Sequence, residues 1–194
     1  MSSSLDVVNE GLVRLGVPPL ASLSDQSAQA IAADSIYKTI RESALAEHPW
    51  SFGITETLLP KLSLPDEEIR NTKFDYAYQL PTDKLRVLGL RSTYTYRIAG
   101  DQLYTDDDEA RLVYVADVDE GGWPSYFSQM VAFAFAAAVA ITLTENNTRA
   151  QLMYQLAGEQ RRTARTIDSL QTPPYVFNMM RVYTRRNTNP LSQA

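Results

Sequence analysis

Apolar residues return at spacings of three and four along the start of the chain, at Leu5, Val8, Leu12 and Leu15. One stripe of that period predicts an amphipathic helix. Ser3 or Ser4 is its N-cap, Asp6 falls in the acid-favouring first turn, and Gly16 with Pro18-Pro19 stops it. A second helix is expected over residues 27–47, capped by Asp25 or Ser27 and closed by Pro49. Its inward positions are Ile36, Ile40 and Ala44, flanked by Ile31, Ala32 and Tyr37. From Trp50 to Val118 the helical spacing fades, and β-branched and aromatic residues arrive in short runs between turn residues. These runs predict strands at 51–59, 76–79, 85–90, 94–98, 102–104 and 110–116, with a hairpin turn at Ala99-Gly100-Asp101. Residues 66–72 read as a polar loop or one helical turn.

Helical spacing returns after Gly121-Gly122. Phe127, Met130, Val131, Ala134, Phe135, Ala138 and Ile141 form one stripe, and Ala132, Ala136, Ala137 and Ala140 cover the other sides. A helix apolar all round is a central one. The last helix, 147–170, directs Ala150, Met153, Tyr154, Ala157, Ala164 and Ile167 inward and Arg162, Thr163, Arg165 and Thr166 outward. Pro173-Pro174 ends it. The expected fold is α+β: an antiparallel four-helix bundle (1–50 and 119–170) with an inserted antiparallel β-unit (51–118) and an extended C-terminal arm (171–194).

Composition narrows the chemistry. The chain has 194 residues, 44% of them hydrophobic, and a formal net charge of −5, which permits a sizeable core and disfavours general attraction to nucleic acid or anionic lipid. Residues 170–194 hold Arg181, Arg185 and Arg186 and no acid, leaving −8 on the rest. Those arginines alternate with Tyr175, Phe177, Met180 and Tyr183, the mixture enriched at protein interfaces. The absence of cysteine removes disulfides, thiolate metal sites and cysteine nucleophiles. No signal peptide is read at the N-terminus, and the apolar run at 130–143 is shorter than a spanning helix needs, so a soluble intracellular chain with no membrane contact is expected.

Each candidate for site chemistry has a plainer reading. His48, the one histidine, is a packed or capping residue at a helix end rather than a general base. The run Asp106-Asp107-Asp108-Glu109 lacks the spacing of a cation loop, and Asp117, Asp119 and Glu120 lead into the Gly-Gly pair. No phosphate-binding glycine loop or nucleophile elbow is present. No catalytic, metal or cofactor residues are therefore expected. The tyrosines at 76, 78, 94, 96, 104 and 114 fit either sheet packing or contact between subunits.

Residues 76–88, Tyr-Ala-Tyr-Gln-Leu-Pro-Thr-Asp-Lys-Leu-Arg-Val-Leu, resemble the aromatic-Tyr-x-Leu-Pro-x-Asp-x-Leu-Arg-Val signature of tail tubular protein A, the head-to-tail adaptor family of short-tailed bacteriophages. The likeness extends to Asn9, Leu12, Leu15-Gly16, Ser22-Leu23, Asp25 and Ala28, to Tyr37, Arg41, Leu45 and Pro49-Trp50-Ser51-Phe52, and to Tyr114-Val115, Asp117 and Leu143-Thr144. It runs in order over about residues 5–170. The resemblance implies a virion protein, assembled in the host cytoplasm as a twelve-membered ring between portal protein and tail nozzle. That ring lines the channel for DNA ejection without binding DNA specifically. It implies a portal-binding arm containing Tyr175, Phe177, Met180, Arg181, Tyr183, Arg185 and Arg186, and nozzle or inter-subunit contact through Tyr94, Tyr96 and Tyr104. Some members of the family are credited with wall degradation, for which no residue pair is found. The alternatives are a hydrolase using the carboxylates near Asp106 or Asp117, and a nucleic-acid-binding module.

Overall fold

A computed structural model describes residues 3–63 and 73–171. The polar segment 66–72 and the arm residues Tyr175, Phe177, Met180, Arg181, Tyr183, Arg185 and Arg186 lie outside the described residues. The first helix, α1 (Ser4–Arg14), opens on a capping box. Ser3 Oγ accepts from the Asp6 N–H, and the Asp6 carboxylate accepts from the Ser3 N–H. Ser27 caps the second helix, α2 (Ala28–Glu47), through the Ala30 N–H. The strands follow: β1 (Ile54–Leu58), β2 (Tyr76–Gln79), β3 (Lys84–Leu90), β4 (Tyr96–Ala99), β5 (Gln102–Thr105) and β6 (Arg111–Ala116). A 3-10 turn at Glu120–Gly122 leads to α3 (Ser125–Thr144), which is joined through Glu145 and Asn146 to α4 (Asn147–Gln171).

The fold differs from the expected antiparallel four-helix bundle with one inserted β-unit. Among the described residues it is a mixed α/β fold of four helices and two separate three-stranded antiparallel sheets, ordered β1-β6-β3 and β2-β5-β4. The helices do not share one core as equals. α1, α2 and α4 each pack extensively on α3, whose buried residues include Phe127, Met130, Val131, Phe135, Ala136, Val139 and Ala140. Apolar cover on nearly every side makes α3 a hub, a role that a bundle helix with one apolar stripe does not have. By length and composition α3 could cross a membrane, but most of its apolar window is buried inside this fold.

The strands divide because the chain changes sheet four times, between β1 and β2, β2 and β3, β3 and β4, and β5 and β6. Between β2 and β3, Leu80-Pro81-Thr82-Asp83 carries it from one sheet to the other; proline cannot donate to a ladder, so β2 ends at Gln79. The Asp106–Ala110 segment makes the same crossing, from β5 to β6. At the corner the Lys84 N–H donates to the Pro81 carbonyl, and the Asp83 carboxylate accepts from Tyr114 Oη at 3.2 and 3.3 Å. This side-chain bond ties the corner to β6. Both sheets contribute to a second hydrophobic cluster of Leu59, Tyr78, Leu80, Leu103, Leu112 and Tyr114. β4 and β5 meet in register across Gly100-Asp101, with Gly100 at φ +60°, where a two-residue hairpin loop favours glycine.

At Gly11, α1 approaches α3 closely. A Cβ there would stand 2.8 Å from Phe135 Cδ1 and 2.9 Å from the Ala132 carbonyl oxygen of α3. Alanine is favoured over glycine in a helix by about 1 kcal/mol, but the obstructing carbonyl is backbone and cannot rotate aside. Overpacking of this kind costs about 1–3 kcal/mol. Gly11→Ala is therefore expected to be net destabilising by about 1 kcal/mol in denaturant unfolding, and Gly11→Val more so. A gain in stability would contradict this crossing.

Candidate interaction surfaces and the junction beneath them

Trp50 ends the run after α2 and is fully buried. Its Nε1–H donates to the Ala44 carbonyl at 2.8 Å, and its ring meets His48, Phe52 and Phe127. Beside this aromatic group lies Asp168, 3% exposed, on the last turns of α4. Its carboxylate accepts four hydrogen bonds from two other parts of the chain: the Ser51 N–H to both oxygens at 3.1 Å, Ser51 Oγ at 2.7 Å and Tyr126 Oη at 2.7 Å. Burial, then the bond to Asp168, pushes the Tyr126 phenol up to about 12. His48 Nε2 lies 3.8 Å from Asp168 Oδ2.

Serine, histidine and aspartate thus share one site, but not in a nucleophilic arrangement. The serine hydroxyl donates to the carboxylate and not to the imidazole, so the serine-to-histidine bond of a nucleophilic triad is not assembled. The group instead anchors α4 and α3 to the chain entering β1.

Burial holds His48 below the ordinary imidazole value of 6.5, and the pull of Asp168 and Glu47 is opposed by Arg165 and Arg86. A depressed folded pKa makes the sign definite. The contribution of His48 is fully present above about pH 6.5 and is lost as pH falls below it, because the unfolded chain takes up the proton first. Unfolding free energy should drop more between about pH 7.5 and 5.5 in the native chain than in His48→Gln. Equal slopes would assign no such role to His48.

The carboxylates that lead into Gly121-Gly122 are also engaged. Arg41 of α2, with an 11% exposed side chain, reaches Asp117 Oδ1 at 2.8 Å, Asp119 Oδ1 at 3.4 Å, Glu120 Oε1 at 3.4 Å and the Val118 carbonyl at 3.2 Å. Tyr37 Oη adds a donor to Glu120 at 3.0 Å, and burial with the neighbouring carboxylate raises its pKa well above the ordinary phenol. One guanidinium thus fastens the 117–120 segment to α2. In the acidic run, Asp106 Oδ1 accepts from the Asp75 N–H, and the largely buried Asp107 accepts from the Glu109 N–H. Among the described residues no group of three or more potential metal-ligating side chains is assembled.

The tyrosines separate by face. Tyr76 and Tyr96 both register with Thr105, and Tyr78 and Ile98 with Leu103, so these four share one face of their sheet. Tyr78 is buried in the second cluster and donates to the Asp107 carbonyl. Across on β4 that same face is uncovered: Tyr96 is 38% and Ile98 41% exposed, and Tyr94, two residues earlier, 54%. Tyr104 registers with Arg97 on the opposite face and donates to Gln102. The structure therefore brings Tyr94 and Tyr96 together with Ile98, which the sequence reading passed over, and sets Tyr104 apart. Asp168 was missed, and Arg41 was named only in the resemblance; their signals were an acid on the inward stripe of α4 and a cation on α2.

No protein-family model matches the chain, and no curated protein matches it.

Proposed function

We propose that this chain is a structural head-to-tail adaptor of the tail tubular protein A kind, a ring-forming subunit that joins the portal of a short-tailed phage to its nozzle. The observation that carries the reading is the Leu80-Pro81-Thr82-Asp83 signature inside an ordered series of matching positions. In the fold this tetrapeptide lies at a sheet-changing corner. Support also comes from the uncovered aromatic face of β4 and from the positively charged, aromatic composition of residues 170–194. The net acidic character of the remainder suits a channel wall along which phosphates pass without adhering. The hydrolase alternative gains nothing from Asp117, Asp119 and Glu120, which are held by Arg41.

In this reading the segment after α4 engages portal, Arg181 and Arg185 meeting acidic partners there. Loss of one partner from a buried interfacial charge pair costs roughly 2–5 kcal/mol. Truncation after Leu170, or Arg181→Glu with Arg185→Glu, should weaken capture by immobilised portal at least tenfold while the circular dichroism of the free chain is unchanged. Portal capture at native affinity by both variants would remove the arm from the function. Failure of the full chain to bind any short-tailed phage portal would sink the adaptor reading itself.

A further inference from the structure

Two exposed surfaces of this chain are unlike one another and opposite in charge. On the first, Tyr96 and Ile98 lie open on β4 and Tyr94 lies open just before it. Tyr96 registers with Thr105, so the exposed acids Asp106, Asp108 and Glu109 of the next turn border that face. The second is on the helices. The inward stripe expected for α3 continues past Ala134 to Ala138 and Ile141, yet Ala138 is exposed and Ile141 is 54% exposed. On α4, Tyr154 belongs to the expected inward set and is 64% exposed.

These residues form one side of the α3–α4 hairpin. At 100° per residue, Tyr154, Arg161 and Arg165 lie within a narrow arc of α4, with Arg162 at its outer margin. That arc faces α2, because Glu47 pairs with both Arg161, at 3.3 Å, and Arg165, at 3.5 Å. Between the helices is an open groove of about 250 Å³ lined by Ile40, Ser43, Ala44 and Thr39 of α2, Ala134 and Arg161. One carboxylate shared by two arginines, with the exposed Arg162 beside them, leaves this side positive.

We infer that the occupant of the helical side is a second copy of this chain, which presents its β4 face and the Asp106, Asp108 and Glu109 turn to the groove and the arginines. Contact between two different faces of identical subunits is heterologous and propagates from copy to copy, closing into a ring where the rotation allows. Apolar residues central and opposite charges at the margin are the composition such a contact requires. The inference deepens the adaptor reading and rests on its ring-forming part.

The cysteine-free sequence makes disulfide trapping specific. Arg162→Cys and Asp108→Cys would be made singly and together in the full chain and oxidised with copper phenanthroline, free and bound to portal. The double variant should give a ladder of trimers and higher species on non-reducing gels, weaker at high salt, and each single variant should remain monomeric. Absence of a ladder in both states, with portal-bound rings visible by electron microscopy, overturns the assignment of faces and leaves the adaptor reading intact. Dimers from a single variant at the rate of the double variant overturn it too, because they require an isologous contact. A ladder in the free chain without portal binding upholds the two faces and counts against the adaptor reading alone.

Discussion

Asp168→Ala is expected to lower the unfolding free energy by about 3 kcal/mol or more, since each buried donor left without an acceptor costs about 1–3 kcal/mol. The Ser51 N–H, the Ser51 hydroxyl and the Tyr126 hydroxyl all lose their acceptor at once. Asp168→Asn keeps an acceptor oxygen but turns an amide toward the same donors, and should fall between the native chain and alanine. Tyr126→Phe removes one donor and should cost about 1 kcal/mol. These changes share partners, so their effects should be markedly non-additive, and a double-mutant cycle of Asp168→Ala with Tyr126→Phe reads the coupling. A cost below about 1 kcal/mol for Asp168→Ala, or strict additivity, would mean that solvent already satisfies these groups.

Trp50→Ala is expected to cost about 3–5 kcal/mol, the range for emptying a fully buried aromatic site. The indole is the largest wholly buried side chain, and it touches the imidazole before it, the ring of Phe52 after it and the first turn of α3 at Phe127. Trp50→Phe should recover much of the loss but leave the Ala44 carbonyl without its indole donor. Trp123, the only other tryptophan, remains as the fluorescence reporter. Tyr94→Ala and Tyr96→Ala provide the contrast: exposed just before and at the start of β4, they should change unfolding by no more than about 0.5 kcal/mol. Losses of several kcal/mol at these tyrosines would mean that they belong to the core and are unavailable for contact.

Local features were legible in the sequence where a residue acts on its own neighbours. The Ser3 and Ser27 caps, the Gly100 turn and the approximate strand positions depend on interactions a few residues apart, and they occur near where the residue types put them. Spacing alone left the orientation of longer helices undetermined. On α2 the buried residues are Ala30, Ala33, Tyr37, Ala44 and Leu45, while Ile31 is 63% exposed. Close packing on α3 favours the side with small residues over the side with more carbon.

The architecture was less legible still. Six strands of ordinary length fit one sheet or two, and only the four changes of sheet along the chain, those at Leu80-Pro81 and after Thr105 among them, decide between them. Asp168 finds Ser51 across 117 positions, and Arg41 finds Asp119 across 78. Single-sequence periodicity carries no information on such pairs. Of the candidate surface, the aromatic part was visible as tyrosine alternation. Its division into an exposed face at Tyr96 and an opposite one at Tyr104 required the register.

The position of the Asp168 carboxylate has a mechanical consequence. It sits three residues before the end of α4 and grips the main chain at Ser51, three residues ahead of β1. Tension applied at Gln171 therefore reaches the root of the strands through ionic hydrogen bonds and not through a slack linker. A subunit pulled by that end would swing its strands along with its helices, as a lever turning on one pin.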